Sequence, residues 1–360
     1  MLPSYLADCP AAWRVDELVA DRGWVFELDD RAQRDLIGAV RAAYLPDKKL
    51  FDYRRDEFDP GSAWPLIERA LAQVKHGRGI ALVRGLPREG VSEKEFELMT
   101  WVLGLHTGVA RPQGKETHYI SGVRDAGADY RTGTGRGYSS NAELDYHTDT
   151  SDIVFLSCYN RSVSGGMSIV ASSLAGYRMM QEEFPQLAPW LHEPLAFGRQ
   201  GEQAPDESPF VVMPVFDVAE GRLCGRWNWN RMTSAQEIAG APKLGAEHRA
   251  ALERFDEVVR RADLAYSTWL EPGDLQIISS HVTLHSRTEF VDHDELANKR
   301  LLYRLWLAPP DSARLPESWR DLYRSIEPGT VRGGIRGLVY DEERSRWEER
   351  QARDIGMRIS

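Results

Sequence analysis

Two short runs decide the fold: Glu143-Leu-Asp-Tyr-His-Thr-Asp-Thr150 and, far downstream, Leu284-His-Ser-Arg-Thr-Glu-Phe290. A β-strand points residues i and i+2 to one face, so His147 and Asp149 are expected to present an imidazole and a carboxylate to one point. His285 adds a third ligand, which suits a β-barrel whose strands meet across its mouth. Two histidines and one carboxylate leave about three open positions on an octahedral metal, an arrangement typical of non-heme Fe(II) oxygenases.

A second signal follows His285 in the apolar run from Asn298 to Leu307. Strand alternation gives this run one face made of Arg300, Leu302, Arg304 and Trp306, and an opposite face made of Leu301, Tyr303, Leu305 and Leu307. An arginine is costly to bury without an anion and is suited to binding a carboxylate through two hydrogen bonds. The two arginine Cα atoms stand about 13 Å apart on a strand. They could therefore bind adjacent anions.

Two more apolar runs follow the His-x-Asp motif. Residues 152–159 are expected to form a strand, and residues 164–173 a turn followed by another strand. The pair Gly165-Gly166 indicates a turn or bulge where the backbone passes close to another group. Ser168 then lies at the start of the next strand, where its hydroxyl can donate to an oxygen.

These motifs resemble the TauD/TfdA family of Fe(II)/2-oxoglutarate-dependent dioxygenases, the taurine and 2,4-D dioxygenases, which are related to clavaminate synthase. The resemblance covers most of the chain. Its motifs are Gly79-Ile-Ala-Leu-Val-Arg-Gly-Leu-Pro87, His147-Thr-Asp149, the Gly-Gly-x-Ser turn ending at Ser168, Pro272-Gly-Asp274 and the segment from His285 to Arg304. One departure is Ser279-Ser280, where many relatives carry asparagines.

The resemblance implies a role for each matching residue. His147, Asp149 and His285 match the iron ligands, Arg300 the arginine that binds the distal carboxylate of 2-oxoglutarate, Ser168 the hydroxyl that assists it, and Arg304 an arginine that reaches the primary substrate. We add Arg287 and Asn141 as candidate substrate-binding residues. Because Arg304 and Arg287 are cationic, the expected substrate is a small molecule with a carboxylate, such as an amino acid or a related metabolite.

The implied reaction uses Fe(II), 2-oxoglutarate and O2, and releases succinate and CO2. Related halogenases replace the iron carboxylate by a small residue, so Asp149 favours hydroxylation, or desaturation or cyclisation at the same site. Two other classes stay open at this stage. The same three ligands could hold zinc in a metal hydrolase. A jelly-roll protein that only binds a small anion is the other alternative.

Composition restricts the class of protein further. No stretch of 18 apolar residues and no basic, apolar leader is present, so neither a membrane partner nor secretion is expected. A net charge of −10 argues against nucleic-acid binding. The three cysteines, Cys9, Cys158 and Cys224, are too scattered for a disulfide scaffold, and Cys158 is expected to be buried. We expect a cytoplasmic enzyme with a small-molecule substrate, which could form a homo-oligomer.

The fold class expected is α+β with a mainly β core, a double-stranded β-helix (jelly roll, cupin-like) buttressed by helices. One domain spans residues 1–360. Within it we expect a mostly helical N-terminal part at 1–110, a lid loop at 125–140, the jelly-roll core with helical inserts at 143–310, and a C-terminal extension at 311–360.

Local patterns predict several elements and side-chain environments. The predicted elements are a helix after Asp29-Asp30, a helix opened by the capping box Ser92-Glu-Lys-Glu95, helical inserts near 174–184 and 246–261, and strands at 210–216 and 275–278. The charged run 341–350 is most typical of a solvated helix. His281 is expected to be structural, while His106 and His118 could line the pocket.

Overall fold

The computed structural model describes residues 6, 8–127 and 140–359. Its strands are β1 (Val25–Glu27), β2 (Ile80–Arg84), β3 (Val109–Arg111), β4 (Ile120–Val123), β5 (Leu144–His147), β6 (Ile153–Asn160), β7 (Ser164–Gly165), β8 (Ser168–Ser172), β9 (Leu195–Gly198), β10 (Phe210–Met213), β11 (Phe216–Ala219), β12 (Arg222–Gly225), β13 (Tyr266–Thr268), β14 (Leu275–Ser279), β15 (Thr283–Arg287), β16 (Phe290–Val291) and β17 (Leu301–Ala308). Its α-helices are α1 (Val15–Ala20), α2 (Asp30–Ala43), α3 (Trp64–His76), α4 (Glu93–Thr107), α5 (Ser173–Glu183), α6 (Trp229–Ser234), α7 (Ala246–Val259), α8 (Arg320–Tyr323) and α9 (Glu342–Asp354). Most of the predicted lid, residues 128–139, lies outside the described residues.

Two sheets form the core of the fold. The larger has the order β1-β2-β14-β6-β17-β3, with β4 also paired to β17, and the smaller has the order β13-β8-β15-β5. Between them lies a hydrophobic cluster with side chains from both sheets, among them Val154 of β6, Val170 of β8 and Trp306 of β17. The double-stranded β-helix predicted from the sequence is confirmed.

Strand β17 has the alternation that the sequence predicts. Leu302 and Trp306 belong to the cluster between the sheets, whereas Leu301, Tyr303, Leu305 and Leu307 belong to a second cluster that includes helices α2, α3 and α4. The strand pairs with β6 on one side and with β3 and β4 on the other. It is therefore an inner strand, and its arginines do not lie along a solvent-exposed edge.

Helix α4 begins as its capping box predicts. The Ser92 hydroxyl accepts from the Glu95 backbone N–H, and the Glu95 carboxylate accepts from the Ser92 N–H at 2.8 Å. The predicted helix after Asp29-Asp30 is also present as α2, with Asp29 as its N-cap. These helices cover the outer face of the large sheet. Helices α5 and α7 pack over the small sheet in the same way, in a cluster that includes Ala171 and Leu284.

Of two predictions in the later part of the chain, one is wrong and the other, a solvated helix at 341–350, holds in part, since the helix is present as α9. The run 210–216 is not one strand, because Pro214 separates β10 from β11, and a proline lacks the N–H that a strand ladder needs. Helix α9 is not fully solvated. Its Glu348 is buried and forms an ion pair with Arg111 at 2.7 Å, so tertiary contacts override the charged composition.

The cysteine prediction is confirmed, since Cys9, Cys158 and Cys224 are free and Cys158 is buried. Within residues 6, 8–127 and 140–359, no helix has the length and apolar character needed to cross a membrane.

Candidate active site

The small sheet brings together two of the three candidate metal ligands. His147 is the last residue of β5, and it is the register partner of His285 in the neighbouring strand β15. Their ring centroids are 4.1 Å apart. The sequence analysis expected His147 and Asp149 on one strand, but β5 ends at His147 and Asp149 lies in the connection to β6. Its carboxylate nevertheless reaches the same point.

The three side chains have the spacing of a metal site. One ligand atom from each of His147, Asp149 and His285 lies within 4.8 Å of the other two. Asp149 Oδ1 is 3.9 Å from His147 Nε2, and Asp149 Oδ2 is 3.7 Å from His285 Nε2. These distances are too long for hydrogen bonds. Two imidazole nitrogens and a carboxylate oxygen around one gap form a donor set that fits Fe(II).

The histidines are in the protonation state that a metal requires. Burial and, to a smaller extent, the neighbouring His147 lower the pKa of His285 to about 3. Burial also lowers the pKa of His147. His147 Nδ1 lies 2.9 Å from the carbonyl oxygen of Asp145, which accepts a hydrogen bond from Nδ1–H and leaves Nε2 as the lone-pair nitrogen that faces the gap. Both imidazoles are therefore neutral near pH 7.

Asp149 is held as an anion by its neighbours. Burial alone would raise its pKa, but Arg304, the two histidines and the Trp306 indole together lower that pKa to about 2. Arg304 Nη1 lies 3.6 Å from Asp149 Oδ1, and Trp306 donates to Asp149 Oδ2 at 2.7 Å. Arg304 in turn donates to Gln113 Oε1 at 2.8 Å. A metal at this point therefore meets a fixed carboxylate.

A cavity of about 1060 Å³, including its open mouth, adjoins the three ligands. Its walls are formed by Gly114, Val123, Leu144, Leu156, Ser168, Gln200, Glu202, Asn228, Asn230, Arg231, Leu270, Ser286, Arg287, Arg300, Leu302, Arg304, Trp306 and Ile335, in addition to the ligands. One part of this wall contains apolar side chains, such as Leu156 and Leu302, together with the guanidinium of Arg300. Another part is polar and contains Glu202 and Arg231, which form an ion pair at 2.5 Å.

The predicted co-substrate residues both line this cavity. Arg300 is buried, its Nη1 atom has no hydrogen-bond partner, and no ion pair to it occurs in the described part of the chain. Burial lowers the pKa of Arg300 to about 10, so the guanidinium stays charged at pH 7. Ser168 donates to Gln276 Oε1 at 2.9 Å. An unpaired buried cation is costly, which makes this wall suited to an anion.

The glycine turn makes room for Arg300. Gly165 and Gly166 both have positive φ angles, of 65° and 75°, which other residues adopt at a cost. A Cβ atom on Gly166 would lie 3.1 Å from Arg300 Nε, and one on Gly165 would overlap the Glu289 carbonyl oxygen. The sequence predicted that the backbone of this turn passes close to another group. In the structure it passes close to the Arg300 side chain and to the residue before β16.

The structure places the two added substrate candidates differently. Arg287 lines the cavity, but its guanidinium donates to the carbonyl oxygens of Ser140 and Ala142 and so holds the segment before β5. Asn141 does not line the cavity. Its side chain is exposed, and its carbonyl oxygen accepts from Phe290 N, which ties the backbone there to β16. The expectation that Asn141 contacts substrate has no support in this geometry.

The other histidines lie away from the gap. His281 Nε2 is 2.8 Å from Asp152 Oδ1, in agreement with a structural role. His106 packs against Trp64, and His118 forms a bridge with Gln113 in the backbone. Neither His106 nor His118 lines the cavity, so the prediction that they could do so is wrong.

Sequence reasoning missed Gln113, Glu202 and Arg231 at this site. Gln113 bonds Arg304 from the turn after β3, and the other two come from the segments after β9 and within α6. None of the three belongs to a motif with the ligands. The only sequence signal near them is the run Trp227-Asn-Trp-Asn230, whose two asparagines do line the cavity.

Comparisons with known proteins agree with this geometry. Residues 47–306 match the model of the family described as "Taurine catabolism dioxygenase TauD, TfdA family". FR-33289 synthase of Streptomyces rubellomurinus (strain ATCC 31215) is 29% identical to this chain over 315 residues, which are 86% of this chain and 92% of that protein.

Solved structures share the fold. Asparagine oxygenase, in complex with Fe(II), 2S,3S-3-hydroxyasparagine and succinate, superposes with a TM-score of 0.60 and 18% identity, over 79% of this chain and 93% of its own. The non-heme iron oxygenase OrfP, in complex with Fe and alpha-ketoglutaric acid, gives a TM-score of 0.56 and 16% identity, over 85% and 99% of the two chains. At these identities the likeness establishes the architecture alone.

Proposed function

Since this chain belongs to the TauD/TfdA family and is a 2-oxoglutarate-dependent non-heme iron dioxygenase, we propose that it hydroxylates a C–H bond of a small carboxylate-bearing molecule such as an amino acid. Family membership sets aside the hydrolase and the anion-binding alternatives. One observation carries the proposal: His147, Asp149 and His285 converge at a cavity that also contains the buried, unpaired guanidinium of Arg300.

In this proposal His147, Asp149 and His285 bind Fe(II). With 2-oxoglutarate and O2, the iron supplies the oxidising chemistry, which converts the co-substrate to succinate and CO2 and inserts one oxygen atom into the substrate. The protein's part is to keep both imidazoles neutral and Asp149 ionised. Asp149 also occupies a position that a halide would need, so we favour hydroxylation over halogenation, with desaturation or cyclisation as the alternative outcomes.

Arg300 and Ser168 are proposed to hold the distal carboxylate of 2-oxoglutarate. A carboxylate beside Arg300 would receive the Nη1–H that has no partner and would neutralise a buried charge. The apolar side chains of Leu156 and Leu302 line the same cavity and would exclude water from the co-substrate's methylene groups. The anion would thereby be gripped at one end, and the other end would be left free to reach the metal.

Arg304 is proposed to act near the substrate carboxylate. It lies beside Asp149 and lines the cavity, so an anionic group on the substrate would approach it close to the metal. The polar wall with Glu202, Arg231 and Asn230 supplies both signs of charge and amide groups for the rest of the molecule. This composition favours a polar metabolite over a hydrocarbon.

The first experiment is anaerobic addition of Fe(II) and 2-oxoglutarate to the full chain. A weak visible charge-transfer band from the chelate is expected, and its absence would contradict the iron assignment. Succinate release is then measured with amino acids, sulfonates, phosphonates and uncharged analogues. Stimulation by uncharged compounds alone would reject the anionic substrate and leave the enzyme class intact. A cytoplasmic location, no nucleic-acid or membrane partner and a possible homo-oligomer remain part of the proposal.

A further inference from the structure

Arg226, which follows β12, lies behind the metal site and is 2% exposed. Its Nη1 donates to the Thr148 carbonyl oxygen at 2.6 Å and to Thr148 Oγ1 at 2.8 Å. Its Nη2 donates to Thr150 Oγ1 at 2.8 Å. One guanidinium thus contacts the residues on both sides of Asp149.

The segment that Arg226 contacts has no strand to support it. Asp149 lies between β5 and β6, so no ladder of hydrogen bonds fixes its backbone on both sides. Two main-chain bonds help: Thr148 N donates to the Trp227 carbonyl oxygen, and Gly334 N donates to that of Thr150. Among the described residues, Arg226 is the side chain that hydrogen-bonds both flanking threonines. It therefore fixes both ends of this short connection at once.

Arg226 also carries a charge that the fold does not neutralise directly. No carboxylate in the described ranges forms an ion pair with it, and its Nε atom is buried without a partner. Burial lowers its pKa, and among the groups that oppose this shift Tyr323 has a larger effect than the Asp149 carboxylate. Burying a guanidinium without a paired carboxylate costs free energy of folding. Such a residue is poorly suited to stabilise the fold by itself, and its side-chain hydrogen-bond partners are the two residues that flank Asp149.

We infer that Arg226 is a positioning residue for the metal site: by holding Thr148 and Thr150, it sets where the Asp149 carboxylate stands relative to His147 and His285. The inference rests on the proposed iron site. Lysine cannot replace it fully, because an ammonium lacks the planar fork that contacts two residues at fixed spacing. Arg226 itself does not line the cavity with the ligands, so it acts through Asp149.

The test measures metal affinity in the absence of turnover. Metal-free full-length wild type, Arg226→Gln and Arg226→Lys are titrated anaerobically with Fe(II) and with Mn(II). Loss of a residue that orients a ligand weakens metal binding by roughly ten- to a hundred-fold. We expect such a loss for Arg226→Gln and a partial recovery in Arg226→Lys. Wild-type affinity in Arg226→Gln would overturn the inference.

A gentler variant covers the case in which Arg226→Gln does not fold. Thr150→Val keeps the shape of the side chain and removes one acceptor of Arg226. It should weaken Mn(II) binding in the same direction, and wild-type Mn(II) affinity in Thr150→Val would by itself overturn the inference. Where Arg226→Gln does fold, the two losses should not add in a double-mutant cycle. Independent, additive losses would mean that the two residues do not act together, and would also overturn the inference.

A matched control separates positioning from stability. Arg332→Gln removes another buried arginine, one that binds Asp152 at 2.6 Å and does not line the cavity with the ligands. It should lower the melting temperature and leave the Mn(II) affinity unchanged, whereas Arg226→Gln should change mainly the affinity. If the wild type itself fails to bind Fe(II) or Mn(II), the proposed function fails. If the wild type and Arg226→Gln bind equally well, only the role of Arg226 fails.

Discussion

Two carboxylates three residues apart, Asp149 and Asp152, have similar neighbours and different geometry. Each is buried with a histidine and an arginine nearby. Around Asp152 the contacts are direct: His281 Nε2 at 2.8 Å and Arg332 Nη2 at 2.6 Å. Around Asp149 the histidine nitrogens stand 3.7 and 3.9 Å away. The first arrangement is a closed ion pair, and the second leaves a gap that a cation can fill.

The comparison teaches that residue types alone do not identify a metal site. Arg332 Nε also contacts both oxygens of Asp152, which saturates that carboxylate. Within the described part of the chain, Asp149 accepts one hydrogen bond, from Trp306, so lone pairs remain for a metal. Burial opposes the ionisation of both carboxylates, and the neighbouring cations lower both pKa values. The distances of 3.7 and 3.9 Å between the Asp149 oxygens and the histidine nitrogens, more than the charges, identify Asp149 as the candidate metal ligand.

Of the substitutions that test this contrast between Asp149 and Asp152, the replacement of Asp149 should have the largest effect. Asp149→Ala should abolish substrate-dependent succinate release, because the only carboxylate of the proposed ligand set is lost and Fe(II) binding weakens. The measurement is succinate formed per enzyme together with the Fe(II) dissociation constant. Full activity in this variant would refute the assignment of the site.

Replacing Asp152 should affect folding instead. In Asp152→Asn the buried Arg332 loses its anion, which costs about 3–5 kcal/mol of unfolding free energy. The measurement is urea denaturation, with Mn(II) affinity as the second readout, which should stay at the wild-type value. A loss of metal binding without a loss of stability would reverse the roles that we assign to the two carboxylates.

The pH dependence of stability sharpens the same contrast. Burial raises the pKa of Asp152, but Arg332 and His281 outweigh that effect and lower it. A carboxyl with a depressed folded-state pKa stabilises the protein above its unfolded pKa of about 4, and this stability is lost as the pH falls toward the folded value. Between about pH 4 and pH 2, wild-type stability should therefore fall more steeply than that of Asp152→Asn.

Replacing Arg300 should have a smaller effect, on the KM for 2-oxoglutarate. Arg300→Gln should raise the KM for 2-oxoglutarate roughly a hundred-fold, since losing one partner of a buried charge-assisted pair costs about 3 kcal/mol. Steady-state succinate assays at saturating Fe(II) measure this change. Arg88→Gln is a suitable control, because Arg88 is partly buried against Tyr159 and lies outside the cavity. An unchanged KM in Arg300→Gln would assign the clamp to Arg304.

Trp306 should give the smallest effect. Trp306→Phe removes the indole N–H that Asp149 Oδ2 accepts, and keeps an aromatic ring in the core. Fe(II) affinity should fall about ten-fold, at the lower end of the range for a residue that orients a ligand. The KM for 2-oxoglutarate should not change. A variant with wild-type Fe(II) affinity would show that the gap around Asp149 does not depend on this hydrogen bond.

Features that depend on local spacing could be predicted from the order of the residues. Alternation along residues 300–307 predicted which side chains of β17 face the sheet interior, because a strand repeats every two residues. Ser92 and Glu95 predicted the start of α4, since a capping box closes within one turn. The spacing of His147 and Asp149 suggested a shared metal, although Asp149 proved to lie just beyond the strand.

Contacts between groups that are distant in the chain became visible only in the folded protein. The contact of Arg226 with Thr148 and Thr150, the Arg332–Asp152 pair and the Glu348–Arg111 pair each join segments far apart in the chain. No periodicity encodes such pairs, because they depend on sheet order and on the paths of the connections. For the same reason the sequence could not show that the backbone of Asn141 pairs with Phe290. Local spacing can propose ligands, but the distances that separate an open metal site from a closed ion pair arise only when the strands are assembled.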